Sequence, residues 1–224
     1  MIKRKDKQYL SEILSNSIHF NNLDKLTENC LANDDGWKSV YNKKNIQAFS
    51  KKNLFGSGIT SIRYRTTLKQ KLVVIEEFAY RNMLDYMPLW SKEFIKGERL
   101  ATYDNYKLLK TQFKTPFFLK NRSYVFVLLR IKTADTLKVI YLSVGDAEYL
   151  NTDKGFVRSK LYPTVYKFTK LNDAEVQMEH ILSTDLGQDL PLWFQNASPV
   201  TNGYVQANIR DCESIVRVLE NWEG

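Results

Sequence analysis

Between residues 94 and 184 the chain offers one short strand-like segment after another, at 94–103, 106–114, 122–132, 137–144, 155–169 and 174–184. Turn signals ("TPFF", "TADT", "NTDKG", "LNDAE") separate several of them, and no helical pattern intervenes. Consecutive strands without alternating helices imply an antiparallel sheet. Three further β-branched segments, near 38–41, 46–52 and 59–68, precede this run and are punctuated by "NKKN" and "GSG". Helical periodicity is confined to the flanks and to one interruption. Residues 7–31 read as two short amphipathic helices, and "QKLVVIEEFAYRNML" (70–84) places Leu72, Ile75, Phe78 and Ala79 on one face. From Leu190 to Trp222 a stripe of Trp193, Ala197, Val200, Tyr204, Ala207, Cys212, Ile215 and Leu219 reads as one long helix, with a kink expected at Pro199–Gly203. The predicted class is α+β: about nine strands with a long C-terminal helix. A curved sheet around such a helix leaves a gap between them that suits a ligand.

The two faces of the strands sharpen this. On 122–130, Tyr124, Phe126 and Leu128 share one parity and Ser123, Val125, Val127 and Leu129 the other, so the strand is expected to be covered on both sides. On "EVQMEHIL", Val176, Met178, His180 and Leu182 share the interior face, and His180 reads either as a hydrogen-bonded core histidine or as a contact to a polar group of a ligand. Hydrophobic residues make up 43 % of the 224, spread from Phe20 to Trp222, which is enough for one sizeable core. We read residues 1–34 as N-terminal helices and 35–224 as the ligand-binding body of one compact domain.

Catalytic signatures are scarce: no GxSxG, phosphate-binding glycine loop or HExxH occurs, and His19 and His180 are the only histidines. No metal or cofactor is expected. Cys30 and Cys212 lack metal-type spacing and read as free thiols of a reducing, cytoplasmic setting, with one disulfide between them as the alternative. The N-terminal "MIKRKDKQYL" is basic without a following apolar run, and reads as neither a signal peptide nor a membrane span. The net charge of +8 is lopsided, with 13 Lys and Arg against 6 Asp and Glu in residues 1–70, and 20 against 19 thereafter. Such asymmetry suits either an anionic partner or a solvated basic face. Because the aromatics alternate into the core and no stacking platform is evident, nucleic acid is not an expected partner.

The order of several landmarks resembles the START (steroidogenic-acute-regulatory-related lipid transfer) domain family over residues 35–222: "DDGWKSVY" with Trp37, "DYMPLW" with Trp90, "TPFFLKNRSYV", "GFVR" with Arg158, and "STDLGQDLPLWFQN" before the final helix. The resemblance implies a helix-grip fold, a curved antiparallel sheet around the C-terminal helix enclosing a tunnel for one lipid. It also implies a monomer that meets membranes transiently and peripherally. Ligand contacts are then expected at Tyr86, Trp90, Leu109, Arg122, Tyr124, Phe126 and Leu128. Further contacts are expected at Arg158, Met178, His180, Trp193, Asn196, Val200 and Tyr204. The loop residues Phe117, Phe118, Leu119 and Lys120 would touch an anionic membrane.

Two departures bear on the ligand. Phosphatidylcholine-binding members of the family carry an arginine and an aspartate where this chain has Met87 and Ser91, and cholesterol-transferring members carry charged residues at positions matching Leu109 and Leu128. An apolar tunnel with neutral polar contacts remains, suited to a sterol, a phospholipid or another acyl lipid. A helix-grip enzyme of the aromatase or cyclase kind, acting through His180 or Tyr124, and a lipid sensor that transfers nothing are the alternative readings.

Overall fold

The computed structural model describes residues 20–115, 119–144, 154–187 and 190–222. In chain order the elements are α1 (Phe20–Ala32), β1 (Lys38–Lys43), β2 (Ile46–Lys52), β3 (Thr60–Leu68), α2 (Leu72–Glu76), a π-helical turn (Glu77–Arg81) and α3 (Met83–Trp90). The main strand run follows as β4 (Phe94–Thr102), β5 (Tyr106–Phe113), β6 (Asn121–Lys132), β7 (Thr136–Ser143), β8 (Phe156–Arg158), β9 (Lys160–Leu161), β10 (Thr164–Lys170), β11 (Val176–Leu182) and β12 (Thr184–Asp185). The chain closes with α4 (Leu192–Gln195) and α5 (Ser198–Glu220). Nine strands form one antiparallel path, β1-β2-β3-β11-β10-β7-β6-β5-β4, with β8 joined in parallel to the start of β6 and β12 paired with β9.

The double apolar parity of β6 has a direct structural cause. Tyr124, Phe126 and Leu128 belong to an inner cluster with residues of α2, α3 and α5, whereas Val125, Val127 and Leu129 belong to an outer cluster that takes in Leu23 and Leu31 of α1. The sheet therefore has α5 and the α2–α3 segment on its inner face and α1 on its outer face. The sequence pattern at 20–31 falls in α1, while the expected first helix, at 7–19, lies outside the described residues. Ion pairs fasten α1: Lys138 meets Asp24 and Glu28, and Lys167 meets Glu28 at 2.9 Å.

"DDGW" acquires a structural role of its own. Arg63, fully buried, pairs with Asp34 at 2.6 Å, and its guanidinium lies 4.6 Å from the Trp37 ring. Arg65 bridges Asp34 and Glu179 at 2.9 and 2.8 Å. Part of the N-terminal basic excess is thus spent inside the fold rather than offered to a partner. On the opposite side, buried Glu76 accepts from Arg130 at 2.8 Å and Lys132 at 2.5 Å, tying α2 to the end of β6. Lys107 donates to the carbonyls of Tyr80 and Arg81 at 2.7 and 2.8 Å, satisfying the last groups of the π-helical turn.

Three expectations are corrected in detail. The segment read as one strand over 155–169 is three, β8, β9 and β10, because Pro163 cannot donate to a ladder and Ser159 turns its hydroxyl to the Leu186 carbonyl at 2.8 Å. The segment at 174–184 likewise divides into β11 and β12. The expected kink at Pro199–Gly203 does not form, since Pro199 sits in the first turn of α5, where its missing N–H costs nothing. The helical stripe instead breaks at Asn196 and Ala197, with Ala197 extended at φ −62°, ψ 138°.

Gly187, in the landmark before α4, has φ +111°, and a Cβ there would lie 2.6 Å from the Arg158 carbonyl oxygen and 2.8 Å from Val157. Backbone is a neighbour that cannot give way. Gly187→Ala should therefore lower the unfolding free energy by about 2 kcal/mol, measurable by denaturant titration.

Candidate functional site

A cavity of about 760 Å3 lies between the inner face of the sheet and α5. Its walls follow from strand and helix periods. On β6, Arg122, Tyr124 and Phe126 face it at every second residue; on β11, Met178, His180 and Leu182 do the same. On β5 the facing residues are Thr111 and Phe113, and Tyr141 and Tyr166 come from β7 and β10. From α5, Val200, Tyr204, Ala207, Asp211, Cys212 and Ile215 complete the wall at helical spacing. The ends are formed by Met87, Trp90 and Ser91 on one side, with Leu186 and Phe194 on another.

Burial holds the wall's imidazole, phenols and thiol in their neutral forms. His180 stacks on Tyr166, its ladder neighbour, with ring centroids 3.7 Å apart and planes 9° from parallel, and lies 5.7 Å from Tyr64 on the other side. Burial pushes its imidazole down to about 3, so the ring is neutral at physiological pH. Its Nε2 has no hydrogen-bond partner among the described residues. Burial also pushes the phenol of Tyr124 up to about 12 and raises those of Tyr141, Tyr166 and Tyr204. The Cys212 thiol is pushed up to about 12 for the same reason. Cys30 and Cys212 are free, belonging to the outer and inner clusters respectively.

Asp211 is the exception. Burial, reinforced by Glu93, pushes its carboxyl up to about 7, against the opposing influence of Arg210 and the Ser91 hydroxyl. The periodicity that selects Tyr204, Ala207 and Ile215 also selects position 211, but a search confined to apolar residues passes over it. Tyr141 and Tyr166 were legible only through register, because each lies beside a wall residue in the ladder: Tyr141 beside Thr164 and Tyr166 beside His180.

Eight of the expected contacts, Trp90, Arg122, Tyr124, Phe126, Met178, His180, Val200 and Tyr204, line this cavity. Leu109 and Leu128 point to the same inner face but stand outside the wall, at 1 % and 0 % exposure in the packed part of the core. There Tyr141, the partner of Leu128, donates to the Met83 sulfur at 3.2 Å, and α3 closes over the sheet. Tyr86 stacks on Phe78 at 5.6 Å and meets Trp222 edge-on at 4.5 Å, away from the cavity. Arg158 stands on β8, outside the wall. Asn196 ties the α4–α5 junction to the β2–β3 hairpin, donating to the Gly58 carbonyl at 2.7 Å and accepting from Thr60 at 3.2 Å. Trp193 is 74 % exposed, because within the single turn of α4 it is the neighbouring Phe194 that faces inward. Of the expected membrane loop, Phe117 and Phe118 lie outside the described residues, Leu119 lines the cavity and Lys120 is exposed, its carbonyl accepting from Arg122 at 2.6 Å.

A curved antiparallel sheet closed by a C-terminal helix around a cavity is the helix-grip arrangement. The START domain family model matches residues 17–205, and the chain belongs to that family. Among solved structures, the human StAR-related lipid transfer protein 5 is 15 % identical with a TM-score of 0.77, over 91 % of this chain and 97 % of that one. Human STARD10 is 15 % identical with a TM-score of 0.71, over 87 % of this chain and 79 % of that one. A STAR-related lipid transfer protein fragment from Xanthomonas axonopodis is 19 % identical with a TM-score of 0.67, over 84 % of this chain and all of that one, 100 %. No curated protein matches by sequence. Among the described residues no helix is long and apolar enough to cross a membrane.

Proposed function

We propose that this protein binds one lipid in the cavity beneath α5 and exchanges it at an anionic membrane surface. The observation that carries the reading is the cavity itself, whose about 760 Å3 falls in the range of small-molecule sites and whose wall is mainly aromatic and aliphatic. An acyl chain of sixteen carbons in water costs about 13 kcal/mol, at about 0.8 kcal/mol per methylene, so a carrier must match the bilayer in apolarity and open against it. The apolar wall is of a chemistry that suits a sterol, a phospholipid or another acyl lipid. The unpartnered Nε2 of His180 supplies a neutral polar contact within the wall.

The carrier reading is supported over a helix-grip enzyme by the state of the two groups that would have to act. Burial holds the His180 imidazole and the Tyr124 phenol in their neutral forms, so neither is poised as a general base at neutral pH. Two features flank the cavity for docking: the ends of the 115–121 loop, with Thr115 and Leu119 in the wall, Lys120 exposed and Lys114 exposed just before it, and α4, with Leu192 and Trp193 exposed beside wall residue Phe194. Trp at an interface and Lys at headgroup level are the residue types that suit a bilayer surface.

Transfer of a fluorescent phospholipid or sterol from neutral donor to anionic acceptor vesicles tests this. Transfer should exceed the spontaneous rate, fall at high salt, and fall about tenfold in the Phe117→Ala/Phe118→Ala/Trp193→Ala variant through weakened docking. Transfer no faster than without protein, for every lipid class tried, would sink the carrier reading.

A further inference from the structure

Of the two acidic side chains lining the cavity, Glu93 and Asp211, the one on α5 is not explained by the apolar character of the site. Asp211 stands on the cavity-facing stripe of α5, between Ala207 and Ile215, and makes no ion pair among the described residues. A carboxyl even partly withdrawn from water without an ion-pair partner is costly, and a packed apolar residue would stabilise this helix face more. Its neighbours are polar as well. The Ser91 hydroxyl, buried at the end of α3, interacts with it, and Glu93 of the α3–β4 junction acts on it electrostatically; both line the cavity. Phe94, next to Glu93, pairs with Phe113, and two residues along the same face of β5 stands Thr111. Thr111 is 1 % exposed, lines the cavity, and its Oγ1 has no hydrogen-bond partner among the described residues.

From this convergence we propose that Asp211, with Ser91 and Thr111, holds the polar end of the ligand and selects a lipid whose buried head is a hydrogen-bond donor, an ammonium or a hydroxyl, against one ending in a carboxylate. Asp211 accepts the donated hydrogen bond, and the Thr111 hydroxyl completes the set. An anionic head would be placed beside Asp211 and Glu93; of the cations lining this end, Lys114 and Arg210 are exposed and screened by water, and the buried guanidinium of Arg122, in register with Phe113, is engaged with the Lys120 carbonyl at 2.6 Å. A charge-assisted bond in a site of low polarity is among the stronger polar contacts a protein makes. The inference rests on the lipid-binding reading above.

Binding of dodecylamine, dodecanol and dodecanoic acid, matched in chain length and each below its micelle concentration, separates the two claims. The wild-type protein should bind the amine and the alcohol at least about tenfold more tightly than the acid, and Asp211→Asn should reduce that preference about tenfold. Asparagine is nearly isosteric, so the variant should melt at or above the wild-type temperature, and dodecanol binding should persist in it as evidence of an intact cavity. Equal binding of all three probes by the wild type, or an unchanged preference in Asp211→Asn, would overturn the role of Asp211 while leaving the lipid-binding reading in place. Binding of none of them would overturn both.

Discussion

Ala207→Trp should abolish lipid uptake, lowering affinity by about a hundredfold or more, with little change in melting temperature. Ala207 lies in the middle of the cavity-facing stripe of α5, a turn after Tyr204 and a turn before Asp211, and its methyl faces the sheet across the cavity. Tryptophan is an acceptable helix residue, so the backbone has no reason to change. Its indole would occupy the space an acyl chain or sterol ring needs, and a lost hundredfold corresponds to about 2.7 kcal/mol. Because the added ring is itself apolar and enters a cavity rather than a packed core, the usual overpacking cost is avoided. Titration with a fluorescent lipid alongside thermal unfolding reads both quantities. A variant that melts like wild type and still binds would show that the ligand does not occupy the space beneath α5.

The second large effect is on acid stability. His180 titrates near 3 in the folded protein and near 6.5 in an unfolded chain, so between these values the unfolded state binds a proton that the folded state refuses. Folding stability attributable to this residue is complete above pH 6.5 and declines as pH falls, by roughly 3 kcal/mol between pH 6.5 and 4. Asp211 acts in the opposite sense. Its folded value near 7 lies above the ordinary 3.8, so its contribution is greatest in acid and is lost as pH rises through that interval. Asp211 is only partly buried, and its share is correspondingly smaller. His180→Phe keeps a flat ring stacked on Tyr166 and removes the titration. Denaturant titrations at pH 4 and pH 7 should show the variant losing roughly 3 kcal/mol less than wild type on acidification. An identical loss would mean that the imidazole is protonated in the fold without penalty.

Much of the architecture was legible because both strand and helix periods are local properties. The parity of Tyr124 and Phe126, and of Met178 and His180, identifies the inner face without knowledge of what covers it. What covers each part of that face is a matter of tertiary packing. Leu128 obeys the same parity as Phe126 yet is sealed, because Met83 and its neighbours on α3 close over that end of the sheet, and nothing in the strand itself announces this. Trp193 fails for a different reason. In a helix of a single turn, one position of phase decides between cavity and solvent, and the stripe extrapolated from α5 does not run through the break at Asn196 and Ala197. Asp211 was missed because apolar periodicity was the search criterion, although the same periodicity places it in the wall. The landmark residues outside the cavity, Trp37 and Gly187, have structural reasons: one lies over the Arg63 guanidinium and the other admits the Arg158 carbonyl.

The central claim is that the cavity between sheet and α5 holds one lipid. Native mass spectrometry of the protein purified in parallel with Ala207→Trp, followed by extraction and identification of any bound molecule, tests it most directly. The account predicts a wild-type species carrying a single lipid, with the mass of that lipid absent from Ala207→Trp. A wild-type protein that stays unliganded even after incubation with vesicles of mixed lipids, or a lipid retained equally by both proteins, would contradict it.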